Sequence, residues 1–436
     1  MKPFTDKKAR RVNRLQNLAI LLLTLLALFL SANLPLFGAL SDRSLIELAQ
    51  ERLRREADAP EAGPSGAAPL VFPVRMVCTS EFARVGTDAI TTLSDEFERA
   101  GTFLGEALGS AYAPKAIGEA DFLAALPDEG LYCDFTVALP SELLSGLLGV
   151  SVPEAELSSV RRLLLSPEDK EAAALYAQDG AGRCFRFSSA VNSAALTDFL
   201  AARSGGSADF AFMLGDGFSR LSPYTLVLSD PAPRCTLNAV NVLSGSEDTI
   251  LRRAEFNAHT ENRFTESSGT VIVREGGSAL YLRPDGTVDY QGGAAEPDSL
   301  YYVAAADGGV PTLSEAAGAA QTLVATLLQE LTGDAALYLS DASAGNGRAE
   351  ISFDLMADGT PIRFSNGSHA ATVVIEGQSI TAFTLRVRSY TLTESAPLLL
   401  PFAQAAAIAG GWDGAELIVA YVDAGAEEVL PAWIAE

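Results

Sequence analysis

The sequence predicts an α+β protein: a single amino-terminal transmembrane helix followed by two extracytoplasmic mixed domains, each with a largely antiparallel sheet packed by helices. Three observations lead there. A twenty-residue uncharged apolar stretch, Leu15 to Leu34, stands directly behind a basic tail. Beyond a Pro-, Gly- and Ala-rich linker at 57–69, short alternating apolar runs are separated by turn residues and interleaved with segments of helical spacing. The chain has 436 residues, 48% of them hydrophobic and 20% charged, which is enough to bury more than one core.

The elements follow in order. Residues 1–14 carry six basic side chains against Asp6, a net of +5, so the rest of the chain carries −29 of the total −24. As a helix, Leu15 to Leu34 is about 30 Å long and matches the hydrocarbon core. The anchor is assigned to 15–36, with the basic tail cytoplasmic and the bulk of the chain outside. Arg43, Arg52, Arg54 and Arg55 weaken that orientation without reversing it. A cleaved signal peptide is the rival, but Leu30 stands two places before Ala32 and Phe37 two before Ala39, where small residues are wanted. Within the anchor, Thr24, Ala27 and Ser31 form a small-residue stripe that suits contact with another membrane helix.

Residues 37–69 read as a stalk helix, with Ser41 as its cap and Leu45, Leu48 and Leu53 recurring, followed by the linker. The first domain spans 70–245. It has strand-like runs at 69–80, 131–139, 173–178, 183–189 and 224–230, and helices at 94–111, 142–149 and 193–204. The stretch from Cys235 to Asn262 reads as irregular to moderately helical. The second domain, 246–436, opens with a meander at 270–290, turning at Asp285-Gly286. A helix is predicted over about 312–332, with Leu313, Leu323, Leu327 and Leu331 on one side. Strands follow at 335–340, 349–356, 370–376, 379–391, 416–422 and 428–434, with Asp358-Gly359 as a turn. The apolar stretch 396–412 is interrupted by Pro397, Pro401 and Gly410-Gly411, so it reads as a short buried helix of about nine residues, not a second span.

Little here points to catalysis. The acidic body repels polyanions, which argues against a nucleic-acid partner. His259 and His369 are the only histidines, each in a polar, turn-like context that suggests a surface position, so a histidine-based metal site or nucleophile–base pair has little material. Gly276-Gly277 lies between strands and is no phosphate loop, and Gly215-Asp216-Gly217 lacks the spaced acidic ligands of a calcium loop. No catalytic residue, metal ligand or cofactor is assigned. Cys78, Cys133, Cys184 and Cys235 are too sparse for a zinc knuckle or a redox pair. A structural disulfide and buried thiols both remain open for them.

Several segments resemble a known family. The meander preceded by FNAHTENRFTESSGT, the run FDLMADGTPIRF followed by ATVVIEGQSITAFTLRVRSY, and the ending LIVAYVDAGAEEVLPAWIAE resemble the YycH and YycI regulatory proteins of Gram-positive bacteria. LGEALGSA together with LYCDFTVALPSELLSGLLG is similar to the first extracellular domain of clostridial YycH-like proteins. The likeness covers most of residues 70–436 and rests on patterns of strands and turns. The chain departs from the family in its Ala, Gly and Arg richness and its four cysteines.

The resemblance implies a regulator that is not an enzyme and modulates a cell-wall-sensing membrane histidine kinase by protein–protein contact. A companion YycH or YycI protein and membrane lipid are the further partners it implies. The alternative is a membrane-tethered envelope hydrolase or glycan-binding protein, for which the aromatic material is Trp412 and Trp433, the latter reading as strand core. A structural protein of the spore or division envelope is a third reading.

Overall fold

Four of the first strands carry apolar residues on both faces, the pattern of a sheet covered on two sides. In the computed structural model, which describes residues 70–168, 171–229, 234–409 and 413–436, these strands lie in a seven-stranded sheet. Its strands are β1 (Pro73–Thr79), β2 (Arg84–Thr91), β3 (Tyr112–Ile117), β4 (Gly130–Pro140), β5 (Ser159–Ser166), β6 (Ala172–Gln178) and β7 (Cys184–Asn192). They run antiparallel in the order β2-β1-β4-β5-β6-β7-β3. The predicted tail, anchor and stalk, with Thr24, Ala27 and Ser31, lie outside the described residues. No described helix is long and apolar enough to cross a membrane.

Helices α1 (Asp95–Gly109), α2 (Glu119–Ala125), α3 (Ser141–Leu148) and α4 (Ser193–Ala201) clothe this sheet. Helix α1 starts where predicted because the Ser94 hydroxyl accepts from the Phe97 N–H, and Asp95, Glu96 and Glu98 suit the positive end of the helix. Its buried Phe97, Leu104 and Leu108 join Met76, Cys133 and Leu163 on one face of the sheet. The opposite face, with Val77, Tyr132 and Leu164, packs on Phe122 of α2 and on Phe210 and Leu226. The edge strand β3 was not legible as a strand: its residues are largely exposed, and Pro114, Lys115 and a bulge blunt it against further pairing.

The chain then forms the small pair β8 (Ala208–Phe210) and β9 (Leu226–Leu228). The stretch read as irregular holds a strand, β10 (Leu237–Asn241), and a helix, α5 (Leu243–Arg253). A meander follows: β11 (Arg263–Thr265), β12 (Val271–Glu275), β13 (Ser278–Leu282) and β14 (Thr287–Gln291). Helix α6 (Leu313–Leu328) begins with a reciprocal cap in which Thr312 Oγ1 accepts from the Glu315 N–H and the Glu315 carboxylate accepts from the Thr312 N–H. It ends before the predicted 332, leaving Leu331 beyond it.

The remaining strands are β15 (Ala336–Gly345), β16 (Arg348–Ala357), β17 (Thr360–Phe364), β18 (Ala371–Glu376), β19 (Ser379–Arg386) and β20 (Arg388–Leu392). After α7 (Phe402–Ala409) come β21 (Leu417–Asp423), β22 (Glu428–Val429) and β23 (Pro431–Ala435). They build an eleven-stranded sheet, β11-β12-β13-β14-β19-β18-β16-β17-β21-β23 with β15 beside β16, antiparallel except for the β17–β21 pair. Two predicted single strands are each broken in two. At Val387 the N–H turns away to the Gly286 carbonyl, so β19 stays in the large sheet while β20 pairs with β10. Across Leu430 the chain likewise leaves β22, which pairs with β10, and enters β23, which pairs with β21. Helix α7 is half-buried, not buried: Ala405, Ala406 and Ala409 face inward while Ile408 lies 72% exposed.

The described residues, from Leu70 onward, form one unit. A continuous apolar core runs from Phe72 and Leu104 through Leu323 of α6 to Phe383 of the large sheet. Strand β10, ahead of residue 245, pairs with carboxy-terminal strands, so the two halves interlock.

Candidate functional site

Charged residues in the middle of apolar strands need partners, because an unpaired buried charge is costly. Arg75, Asp134, Arg162 and Gln178 stand directly opposite one another across β1, β4, β5 and β6, making a polar row through the first sheet. Asp134 is its centre, 1% exposed. Its carboxylate accepts from Arg75 Nη2 at 2.8 Å and Arg162 Nε at 3.1 Å, lies 3.0 Å from Arg161 Nε, and accepts from the Thr136 N–H at 2.7 Å. Burial alone would raise its pKa. The Arg75, Arg162 and Arg161 guanidiniums and the Thr136 N–H outweigh that and hold it below the usual carboxylate range.

Glu416, just before β21, ties the second sheet to this row. It pairs with Arg75, with Arg162 Nη2 at 3.0 Å and with Arg161 Nη2 at 3.4 Å. The row continues through Gln178, which accepts from Arg162 Nη1 at 2.7 Å and donates to the Tyr224 hydroxyl at 2.9 Å. The Arg162 guanidinium lies 4.0 Å over the Tyr224 ring. Glu416 and Glu436 exchange both backbone hydrogen bonds, which brings the last residue alongside the network.

A cavity of about 500 Å³ adjoins these charges, within the usual range for small-molecule sites. Val74, Ile90, Leu226, Leu228, Ile418 and Trp433 supply much of its apolar wall. The irregular segment 396–401 and Phe402 at the start of α7 also line it, and the segment is fixed by a 2.8 Å hydrogen bond from Trp433 Nε1 to the Leu400 carbonyl. Arg75, Arg234 and Arg363 bring charge to the lining. Arg234 pairs with Asp88 at 3.2 Å, and Arg363 Nε donates to Glu436 at 2.9 Å. Trp433 therefore departs from its expected place in a strand core: it is half-buried on the terminal strand, beside a cavity.

His369 keeps a part-exposed surface setting, with 39% of its side chain accessible. Its ring is partly buried with Ser340 and Asp354, a set of residue types that suggests a hydrolytic triad. The geometry excludes that relay. Ser340 Oγ at 3.3 Å and Asp354 Oδ1 at 3.2 Å both approach Nδ1, whereas a relay needs the serine on one ring nitrogen and the acid on the other. His259 is exposed in a turn, as expected.

All four cysteines are free thiols, three of them buried in β1, β4 and β7. Gly215-Asp216-Gly217 sits among short 3₁₀ turns. Among the described residues no His, Cys, Asp and Glu grouping suits a metal ion.

The sequence reading missed the Arg75–Asp134–Arg162 row. Its signal was present: PVRMVCT, LYCDFTV and VRRLLL each place charge inside an otherwise apolar strand.

No family model matches the chain, and no curated protein matches it by sequence. Its structure is similar to the crystal structure of YycH from Bacillus subtilis, with a TM-score of 0.52 over 85% of this chain and 94% of that one. The chain has the YycH fold. At 13% identity the likeness to YycH is one of architecture, and a match of that length has to draw on both sheets. The resemblance read from strand and turn patterns is thus met at the level of fold.

Proposed function

We propose that the protein is a membrane-anchored extracytoplasmic regulator that modulates a cell-wall-sensing histidine kinase by protein–protein contact. The observation that carries this reading is the YycH-like architecture across 85% of the chain.

The mechanism is a population shift. The anchor, residues 15–36, packs beside kinase membrane helices through Thr24, Ala27 and Ser31, while the outer body contacts the kinase sensor. A companion YycH or YycI protein and surrounding lipid complete the assembly. Binding changes kinase output only by as much as the regulator prefers one signalling state, with tenfold preference worth about 1.4 kcal/mol. The ion-pair network serves this role by tying both sheets into one body, so that force on either is felt by both.

Replacing Thr24, Ala27 and Ser31 with leucine tests the proposal. The variant stays in the membrane but loses close helix approach, and kinase autophosphorylation in membranes then matches that of cells lacking the protein. Wild-type autophosphorylation in the variant would remove the stripe from the mechanism.

A further inference from the structure

The cavity beside the ion-pair network has two chemically distinct parts. One is the apolar wall. The other is a pair of guanidiniums whose hydrogen-bonding capacity is only partly used. Arg75, 5% exposed, spends Nη2 on Asp134 and Glu416, while its Nε and Nη1 make no hydrogen bond among the described residues. Arg363 spends Nε on Glu436 and Nη1 on Tyr338 and Asp354, and its Nη2 makes none. Both arginines line the cavity. They flank the backbone pairing of Glu416 with Glu436, Arg75 bound to the first and Arg363 to the second.

Arg75 Nε is a buried donor without an acceptor, which costs free energy, and guanidiniums answer carboxylates and phosphates in a forked geometry. An inorganic anion alone would satisfy the arginines and leave the apolar wall wet. An uncharged apolar molecule would cover the wall and leave the donors unpaired. A molecule with both parts meets both needs.

We propose that this cavity binds a single-acyl-chain amphiphile with a carboxylate or phosphate head, the chain along the apolar wall and the head at Arg75 and Arg363. The side chain of Glu436, 38% exposed, is the group the head exchanges with at Arg363. The segment 396–402, held to Trp433 by one hydrogen bond, is where the chain enters. This site goes beyond the regulator reading and does not depend on a kinase.

The test uses the full-length protein in its own membranes with three light-activated diazirine probes: palmitate, a single-chain lysophosphatidylglycerol and hexadecanol. Crosslinked peptides are identified by mass spectrometry. Palmitate, lysophosphatidylglycerol or both should label peptides containing 396–402 or 417–419, and the alcohol about tenfold less. Labelling by palmitate points to a free acid and labelling by the phospholipid to a membrane source; either supports the site. Arg363→Gln should lower acid labelling by about tenfold and leave alcohol labelling unchanged. Ile90→Trp, which fills the cavity, should abolish both. Labelling that falls elsewhere, that survives Ile90→Trp, or that inorganic phosphate displaces as well as unlabelled palmitate overturns the proposal.

Discussion

Asp134 governs the interior electrostatics, because three arginines share two carboxylates and Asp134 is the more deeply buried of them, with Glu416 the other. Asp134→Asn leaves Arg75, Arg161 and Arg162 short of a counter-charge and should cost about 3–5 kcal/mol in urea unfolding. Arg220→Gln, at an exposed pair with Asp413, should leave the midpoint unchanged. The folded Asp134 carboxyl lies below its unfolded value of about 3.9, so its contribution is full above that pH and is lost as pH falls below it. His369 runs the other way. Its hydrogen bond to Asp354 raises the imidazole pKa, so its contribution is full below about pH 6.5 and is lost as pH rises through the folded value. Imidazole NMR should show His369 titrating above the ordinary value, and Asp354→Asn should bring it down. An unmoved titration would contradict the assignment. Burial pushes the Cys78 thiol up to about 11 and raises Cys133 and Cys184. Iodoacetamide at neutral pH should therefore modify Cys235 alone in the folded protein and all four thiols after unfolding. At this scale the chemistry was partly legible: a lone Asp or Arg in an apolar strand announces a buried partner. The identity of that partner was not, since Arg75 and Glu416 meet across the whole chain.

At the scale of elements, local signals decide. Thr312 and Glu315 form a cap that the sequence states openly, and Thr312→Ala should lower stability by about 1 kcal/mol in urea melts. Gly333 is the opposite kind of position. It has φ +65, and an added Cβ would lie 2.2 Å from the Tyr390 carbonyl oxygen. Gly333→Ala should therefore separate β20 from the chain near α6 and speed hydrogen exchange at Tyr390, whose N–H is bonded to Thr332. Exchange unchanged at that amide would show the site can relax. Helices α1, α3, α4 and α6 were legible because their caps and apolar spacing are local. The breaks at Val387 and Leu430 were not, because both flanking segments have strand composition and only the partners differ. Strand β3 was hidden for another reason: an exposed edge carries no apolar alternation.

At the scale of the whole molecule, two sheets share one core and one ion-pair network, and the architecture is that of YycH. The α+β class was legible from alternating runs set among helical ones. The interlock through β10 and the cavity between sheets were not, since each depends on which distant segments meet. A regulator that works by contact must hold its partner, so recovery of that partner from the membrane decides the role. Full-length protein isolated from its own membranes in mild detergent should bring down a membrane histidine kinase. The form lacking residues 1–40 should not. Failure to recover any kinase with the full-length protein, with a glycan or an unrelated envelope protein bound in its place, would leave the YycH architecture standing and contradict the regulatory role.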